Sequence, residues 1–183
     1  EDVNTYVEKH TQRIKMSDAP SIDNTTDMEE KLSKIFPKGK KLYPFQYVGV
    51  RFVELTNGRC LIGDDMGIGK TIQTLAYIGL HPETYPVLVV CPANVKYNWL
   101  KEAQDWLPNI SSGVVKHGKS EIPDTDIVII NYDLMRKKED ELMEMDFNLC
   151  VFDESHYLKN RKTQRTIASL ELGIKSEYVI CLS

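Results

Sequence analysis

The residues whose types and spacing suggest chemistry begin with Gly63–Thr71, which reads GDDMGIGKT. Closely spaced glycines followed by a lysine and a hydroxyl residue are typical of a loop that binds phosphate, in which backbone N–H groups and the lysine ammonium hold the anion. The strict pattern G-x-x-x-x-G-K-[S/T] requires a glycine at the position of Asp64. The segment is therefore either a defective phosphate loop or a phosphate loop of a different kind.

Each residue type in this loop has a physical role if the segment binds a nucleotide. Gly67 and Gly69 allow a tight backbone, Lys70 can reach the β- and γ-phosphates, and the Thr71 hydroxyl can bind Mg²⁺. The alternative is a glycine-rich turn that binds nothing. The loop follows an apolar run and precedes a helical pattern, and this order favours the phosphate site because the positive end of a helix then faces the anion.

Two adjacent carboxylates, Asp153 and Glu154, follow the apolar run Leu149–Phe152. A phosphate loop requires a carboxylate at the end of a neighbouring strand to hold the metal ion. We predict that Asp153 binds Mg²⁺ and that Glu154 orients and deprotonates the attacking water. The alternative, that both acids are solvated loop residues, is disfavoured by the loop at Gly63–Thr71.

The elements that must position these groups are indicated by unbroken apolar runs rich in β-branched residues, which are typical of strands buried on both faces of a parallel sheet. They are Arg59–Gly63, Val87–Cys91, Asp126–Ile130, Leu149–Asp153 and Tyr178–Leu182, with a weaker candidate at Gly113–Lys116. Helical patterns lie between them at Thr71–Leu80, Val95–Leu107, Asp133–Met145 and Thr163–Leu172. Trp99 and Trp106 lie one heptad apart in the second of these, so we predict that both pack in the core, the alternative being a base-stacking platform. This alternation predicts an α/β fold with a mostly parallel central sheet and helices on both faces.

Residues 1–41 do not follow the alternation. Two helix candidates, Val3–Met16 and Met28–Phe36, flank a polar stretch at Ser17–Asp27 that is typical of a linker. We therefore predict an accessory segment over residues 1–41 and one α/β domain over residues 42–183.

Composition restricts the classes of partner. The net charge is −4 over 183 residues, so a nucleic-acid partner would require a local basic patch rather than a generally basic surface. No apolar run of about 18 residues is present, and the N-terminal part is polar and charged, so we expect no membrane span and no secretory signal. The expectation is a soluble, intracellular protein, in the cytoplasm of a prokaryote or the nucleus of a eukaryote.

The loop GDDMGIGKT together with DESH at Asp153–His156 resembles motifs I and II of the superfamily 2 helicase-like ATPases, above all the Swi/Snf-type DNA translocases. The loop of that family commonly reads A-D-E-M-G-L-G-K-T, so Asp64 is no defect. Within the family, both motifs are most similar to the annealing-helicase, fork-remodelling branch. Further segments resemble family motifs in the family's order over residues 42–183: Leu42–Gln46 with Gly49–Val50, Val89–Pro92, Asn98–Trp99, Trp106–Pro108, His117–Gly118, Ile130–Tyr132 and Leu158–Asn160.

The resemblance implies a RecA-like P-loop domain, a three-layer α/β/α sandwich that binds ATP and Mg²⁺. Lys70, Asp153 and Glu154 would be catalytic, Thr71 and Asp153 would hold Mg²⁺, and His156 would couple the nucleotide cleft to the DNA-facing motifs. The implied nucleotide-binding residues are Gln46, in the adenine-recognition motif, and Asp65, Met66, Gly67, Ile68, Gly69, Lys70 and Thr71. Tyr43 stands where many family members carry a basic residue, and it either stacks on adenine or packs within the protein.

The resemblance also implies double-stranded DNA as a partner, bound through its backbone without sequence preference. The predicted contact residues are Lys96, Asn98, His117, Tyr132, Lys159, Arg161 and Lys162. A solvated surface remains the alternative for the basic cluster at residues 159–165. The basic run Arg136–Lys138 is interpreted as a solvated helix face because acidic residues follow it directly.

A second RecA-like lobe of the parent chain is implied as well, and it would supply arginines to the γ-phosphate. The sequence ends at Ser183, before the family's next motif is complete, so we expect the chain to bind nucleotide and to hydrolyse it poorly. Two alternatives are an ATP-binding scaffold without turnover and a lobe of an RNA-directed helicase.

Overall fold

The computed structural model describes residues 25–65 and 67–183. The predicted helix Val3–Met16 and most of the predicted linker Ser17–Asp27 lie outside the described residues, as does Met66 in the phosphate loop.

All six strands form one parallel sheet, in the order β1-β6-β5-β2-β4-β3. The strands are β1 (Arg59–Ile62), β2 (Val87–Cys91), β3 (Ser112–Val114), β4 (Ile127–Asn131), β5 (Leu149–Phe152) and β6 (Tyr178–Leu182). The five predicted runs are thus confirmed as strands, and so is the weaker sixth candidate, which forms the short edge strand β3.

Seven α-helices connect and cover these strands in the described residues. They are α1 (Thr25–Ile35), α2 (Pro44–Leu55), α3 (Lys70–Leu80), α4 (Lys96–Trp106), α5 (Tyr132–Lys137), α6 (Glu139–Glu144) and α7 (Gln164–Lys175), with short 3-10 helices at Pro82–Thr84 and Ser155–Leu158. The predicted helix Asp133–Met145 is two helices. They are separated at Lys138, whose backbone departs from helical geometry and whose buried ammonium pairs with Glu141.

The sheet separates two apolar clusters, because alternate residues of a strand point to opposite faces. Val87, Val89 and Cys91 of β2 lie in one cluster, with Leu75 of α3 and Trp99 of α4. The second cluster contains Leu88 and Val90 of β2 with side chains of the helices on the other face: Met135 of α5, Leu142 of α6 and Leu172 of α7. The three-layer α/β/α sandwich is confirmed, and both tryptophans pack in the first cluster as predicted, Trp106 partly buried.

Helix α1 begins at Thr25, three residues before the predicted start, and packs on the main core. Met28, Leu32 and Phe36 are buried there, and the Phe36 ring meets Trp106 edge to face at a centroid distance of 5.0 Å. This part of the predicted accessory segment is therefore continuous with the core of the domain. The domain boundary after residue 41 stays a prediction.

The ends of α2 and α3, the two helices next to the phosphate loop, are joined through His81. Its Nε2 lies 3.3 Å from Glu54 Oε1 at the end of α2, and its Nδ1 lies 2.8 Å from Glu83 Oε1. Both ring nitrogens face carboxylate oxygens, so only the imidazolium can donate to both. The hydrogen bond to Glu54 is the main reason that the pKa of His81 is raised above its ordinary value; burial opposes it and Glu83 adds to it.

This cluster predicts a pH-dependent stability. The raised pKa of His81 gives a stabilisation that is fully present below the ordinary value of 6.5 and is lost as pH rises through the folded-state pKa. Burial opposes ionisation of Glu54, but hydrogen bonds from His81 and Arg51 outweigh burial and lower the pKa of Glu54. The stabilisation that comes from ionised Glu54 is therefore lost only in acid. We expect His81→Gln to lower the free energy of unfolding by about 0.5 kcal/mol at pH 6 and by less at pH 8.

Urea unfolding at both pH values measures this effect, with His117→Gln as the control because His117 is an exposed loop residue. An equal loss at pH 6 and pH 8 for His81→Gln would contradict the assigned ion cluster.

Candidate functional site

The predicted chemical groups lie at the carboxyl edge of the sheet. The phosphate loop follows β1, and Asp153 with Glu154 follows β5; one strand, β6, lies between β1 and β5. Two strand spacings place the two segments roughly 10 Å apart. Because all strands are parallel, both segments leave the sheet at the same edge.

The loop turns sharply into helix α3. Gly67 and Gly69 have φ values of 86° and 82°, in the left-handed region that favours glycine, and Gly69 is the residue that precedes the first residue of α3, Lys70. The N–H groups at the start of α3 lack partners within the helix, so its positive end faces the loop. This is the geometry expected of an anion site.

The Lys70 ammonium is turned back over the loop by the loop's own carbonyl groups. Its Nζ donates to the carbonyl oxygen of Asp64 at 2.6 Å and to that of Asp65 at 3.3 Å. The side chain is thus held on the loop rather than extended into solvent.

Gln46 connects helix α2 to the same loop. Its Nε2 donates to the carbonyl oxygen of Ile68 at 3.0 Å, its Oε1 accepts from the backbone N–H of Tyr43 at 2.9 Å, and the side chain is buried. A Cβ atom on Gly69 would lie 2.5 Å from Gln46 Nε2, so the amide occupies the space that a side chain at position 69 would need. Tyr43 is 67% exposed and its ring stacks on Phe45, so it lies outside the core.

Asp153 is held by four hydrogen bonds. Its backbone N–H donates to the carbonyl oxygen of Val90 at 2.8 Å, and its carbonyl oxygen accepts from the Tyr132 hydroxyl at 2.7 Å. In its carboxylate, Oδ1 accepts from the backbone N–H of Glu154 at 2.9 Å and Oδ2 accepts from the indole Nε1 of Trp99 at 2.8 Å. Both the backbone and the side chain of this residue are therefore fixed.

Burial raises the pKa of Asp153 above its ordinary value. The hydrogen bonds from Trp99 and from the N–H of Glu154 lower the pKa, the charge of Glu154 raises it, and the positive charge of Lys70 lowers it. Burial has the largest effect, so the donors and the positive charge around Asp153 do not fully stabilise its ionised carboxylate. A divalent cation would supply that charge.

Glu154 and His156 are brought together by an unusual backbone. Glu154 has a φ of 52°, in the left-handed region, and directly precedes the 3-10 helix Ser155–Leu158. Its Oε2 lies 3.1 Å from His156 Nδ1, and both side chains are partly exposed. The predicted catalytic acid and the predicted coupling residue thus contact each other directly.

Tyr132 and Lys96 were predicted to contact DNA, and the structure does not support a direct contact for either. Tyr132 is buried with its hydroxyl on Asp153. Lys96 is also buried: its Nζ donates to the carbonyl oxygens of Val115 at 2.7 Å and Lys116 at 3.2 Å, and burial lowers its pKa. The other predicted contacts are exposed: Asn98, His117, Lys159, Arg161 and Lys162.

Two residues near the site make contacts that were not predicted: Tyr157, and Arg165, which was considered only within the basic cluster at residues 159–165. Tyr157 stacks on Tyr132 at a centroid distance of 5.9 Å, and the Arg165 guanidinium lies 5.5 Å and 5.6 Å from the two ring centroids. Arg165 also pairs with Asp133 at 3.1 Å. No spacing rule in the sequence indicates this cluster, because its members come from α5, the 3-10 helix Ser155–Leu158 and α7.

Trp99 was predicted as a core residue, and its role as a donor to Asp153 was missed. A buried indole usually finds a hydrogen-bond acceptor for its single N–H, and this rule is the signal that could have found it.

The donor set suits a nucleotide-bound Mg²⁺ rather than a free-standing metal centre. Among residues 25–65 and 67–183, no group of three or more His, Cys, Asp or Glu side chains could hold a metal ion. Mg²⁺ bound with a nucleotide takes only one or two protein ligands and completes its shell with phosphate oxygens and water. The Thr71 hydroxyl and the Asp153 carboxylate fit that requirement.

A glycine loop between β1 and α3, with a partly buried acid at the end of β5 on the same edge of a parallel sheet, defines a P-loop nucleotide-binding domain of the RecA-like class. A family model described as the SNF2-related domain matches residues 10–183. The chain belongs to this family of helicase-like ATPase domains, which confirms the resemblance to Swi/Snf-type proteins.

Relatives of the chain include proteins whose names refer to chromatin and to DNA. It is 37% identical over 174 residues, 90% of this chain and 18% of the relative, to the "SWI/SNF-related matrix-associated actin-dependent regulator of chromatin subfamily A-like protein 1" of Xenopus tropicalis. It is 31% identical over 181 residues, 93% of this chain and 17% of the relative, to the human "DNA annealing helicase and endonuclease ZRANB3". The chain thus spans less than a fifth of the length of these relatives.

A solved structure is similar in fold and sequence. The "Sulfolobus solfataricus SWI2/SNF2 ATPase core in complex with dsDNA" matches with a TM-score of 0.72 and 32% identity, over 81% of this chain and 33% of that chain.

In the described residues of the present chain, no helix is long and apolar enough to cross a membrane.

The contact between Gly69 and Gln46 predicts the effect of a methyl group in the loop. In Gly69→Ala, the new side chain must displace the Gln46 amide from Ile68 and must also adopt a left-handed backbone, which alone costs about 1–2 kcal/mol. We expect a loss of stability and at least a tenfold loss of nucleotide affinity, measured by urea unfolding and by titration of a fluorescent ATP analogue.

Gly39→Ala is the matched control, because Gly39 has a φ of 88° but no atom within 4 Å of an added Cβ. It should show the backbone cost alone and leave nucleotide affinity unchanged. Equal affinities for the two variants would show that the Gln46 contact does not shape the loop.

Proposed function

We propose that this chain binds ATP with Mg²⁺ and forms the first RecA-like lobe of a DNA-dependent ATPase that couples ATP hydrolysis to movement along double-stranded DNA. The observation that carries the proposal is Asp153: it is partly buried, is held by four hydrogen bonds, and lies on the same sheet edge as the phosphate loop with Lys70. A carboxylate fixed in this way costs stability unless it has a cationic partner.

The nucleotide-binding roles follow from the positions of the side chains. The ammonium of Lys70, now on the carbonyl groups of Asp64 and Asp65, would exchange these acceptors for β- and γ-phosphate oxygens. Thr71 and Asp153 would hold Mg²⁺, which neutralises charge developing on the phosphates. The backbone of Asp65, Gly67, Ile68 and Gly69 would surround the phosphates, with Ile68 fixed by Gln46.

Glu154 would hold and deprotonate the attacking water. Its contact with His156 supports a coupling role for that histidine, because movement of His156 changes where the Glu154 carboxylate points. The ring of His156 in turn lies tilted against the ring of Tyr157 at a centroid distance of 4.8 Å, and Tyr157 contacts Arg165, in the helix that follows the basic segment.

The DNA partner is supported by exposed basic residues and by a related structure. Lys159, Arg161 and Lys162 are exposed shortly after the DESH segment, and the predicted contacts Asn98 and His117 are exposed as well. The Sulfolobus SWI2/SNF2 core, which shares the fold, is described in complex with double-stranded DNA. Contacts of this kind would be made to the DNA backbone and hence be insensitive to sequence.

A second lobe is supported by the share of the relatives that this chain covers, which is 33% of the Sulfolobus core chain. Arginines supplied across the cleft raise the rates of such enzymes by roughly 10³–10⁵-fold. Without them, this chain should bind nucleotide and hydrolyse it slowly.

The first prediction of the proposal concerns Lys70. We expect Lys70→Ala to weaken binding of a fluorescent ATP analogue at least tenfold in Mg²⁺, because the phosphate charge loses its only lysine partner in the loop. Lys34→Ala, an exposed lysine on α1, is the control and should leave binding unchanged. Steady-state hydrolysis should be slow for the chain alone. Binding that is indifferent to Lys70 would refute the proposed nucleotide site.

The second prediction concerns DNA. We expect Arg161→Ala with Lys162→Ala to weaken duplex DNA binding and to reduce the slope of log affinity against log salt by about 2, since two phosphate contacts are lost. The control is Lys31→Ala with Lys34→Ala, which removes equal charge from α1.

Binding is measured with duplex DNA, single-stranded DNA and RNA over a range of salt concentrations. A preference for RNA would support the RNA-directed alternative, and equal effects of both double variants would show that only net charge matters.

A further inference from the structure

We infer that Trp99 and Tyr132 are positioning residues for Asp153, which link the two predicted DNA-facing segments of the lobe to the carboxylate that holds Mg²⁺. The inference rests on the proposed function and assigns a task to two residues that sequence analysis placed in the core and on the DNA surface. Neither residue is expected to touch the nucleotide.

Trp99 holds the side chain of Asp153. Its ring is buried in the first apolar cluster with 2% of its surface exposed, and its single N–H donates to Oδ2 at 2.8 Å. A ring fixed by packing holds its N–H in one direction, so the carboxylate can rotate only by giving up a charge-assisted hydrogen bond. With Oδ1 on the N–H of Glu154, the plane of the carboxylate is determined.

Tyr132 holds the backbone of the same residue. It is buried, directly follows β4, and donates its hydroxyl to the carbonyl oxygen of Asp153 at 2.7 Å. This bond fixes the peptide group between Asp153 and Glu154, where the chain enters the left-handed conformation. The two donors therefore approach Asp153 independently, one at its side chain and one at its backbone.

Both donors belong to segments that carry predicted DNA contacts. Trp99 is adjacent to exposed Asn98 in α4. The ring of Tyr132 lies under the guanidinium of Arg165, in the helix that follows the basic segment at residues 159–162. A shift of either segment on DNA would reach Asp153 through a single hydrogen bond. This route requires no large rearrangement of the sheet.

The test measures the Mg²⁺ concentration that gives half-maximal binding of a fluorescent ATP analogue to the chain. Loss of a residue that orients a metal ligand typically weakens metal affinity by about 10–100-fold, so we expect Trp99→Phe and Tyr132→Phe to raise this concentration about tenfold. Binding measured in EDTA should be unchanged, because the hydrogen bonds act on the metal ligand only.

Each variant has a matched control. Trp106→Phe removes an indole from the same helix whose N–H donates to Glu102, and Tyr85→Phe removes a hydroxyl that donates to the carbonyl oxygen of Ile78. Both controls should resemble the unaltered chain. Equal Mg²⁺ requirements for Trp99→Phe and Trp106→Phe would overturn the inference for Trp99. Equal Mg²⁺ requirements for Tyr132→Phe and Tyr85→Phe would overturn it for Tyr132.

A second measurement needs no altered site residue. The chain has two tryptophans, so its ¹⁵N–¹H spectrum contains two indole N–H signals, which Trp106→Phe assigns. Addition of Mg²⁺ with the ATP analogue should shift the Trp99 signal and leave the Trp106 signal in place. A Trp99 signal that does not move while nucleotide is bound would overturn the link between Trp99 and the metal carboxylate, even if Trp99→Phe fails to fold.

The outcomes separate this inference from the proposed function. Absence of Lys70-dependent nucleotide binding in the unaltered chain would refute the function itself. Normal Lys70-dependent binding, with Mg²⁺ requirements unaffected by Trp99→Phe and Tyr132→Phe, would refute only the positioning role.

Discussion

The parallel register of the sheet is the constraint on which the site depends. Parallel pairing makes every strand leave the sheet at the same edge, so loops that are far apart in sequence share one surface. Strand β6 separates β1 from β5 and thereby sets the gap between the phosphate loop and Asp153. That gap spans two strand spacings, roughly 10 Å. The sheet therefore determines the size of the site before any side chain contributes.

The carboxylate of Asp153 is partly removed from the water that would stabilise its charge, and protein groups replace part of that stabilisation. Burial raises its pKa, and the protein offsets part of that effect with donors from Trp99 and the backbone of Glu154. Lys70 contributes positive charge from across the gap, but its ammonium is engaged with carbonyl groups of the loop. The site is thus organised around a negative charge that is only partly compensated. This arrangement favours a divalent cation over a permanent ion pair.

The sequence predicts the strands well because β2, β4 and β5 are buried on both faces, which requires unbroken apolar runs. It also predicts that Lys70 and Asp153 share one edge, since this follows from strand order and direction alone. A buried indole predicts that Trp99 has a hydrogen-bond acceptor. The identity of that acceptor, and the contacts of Tyr132 and Lys96, could not be predicted, because each depends on how a helix or loop packs over the sheet. The break at Lys138 was missed for a similar reason: its lysine is buried beside Glu141, whereas the charge pattern resembles a solvated helix.

The position of β1 has a consequence for synthesis on the ribosome. Among the residues that the structure describes, strand β1 lies at an edge of the sheet and pairs with β6 alone, so Arg59–Ile62 can join the sheet only after Tyr178–Leu182 has been synthesised. The intervening stretch of about 120 residues takes on the order of 10 s to synthesise. During that interval the inner strands β2, β4 and β5 can already pair with one another. The phosphate loop is consequently among the last parts of the domain to acquire its shape, although it is encoded in the first half of the chain.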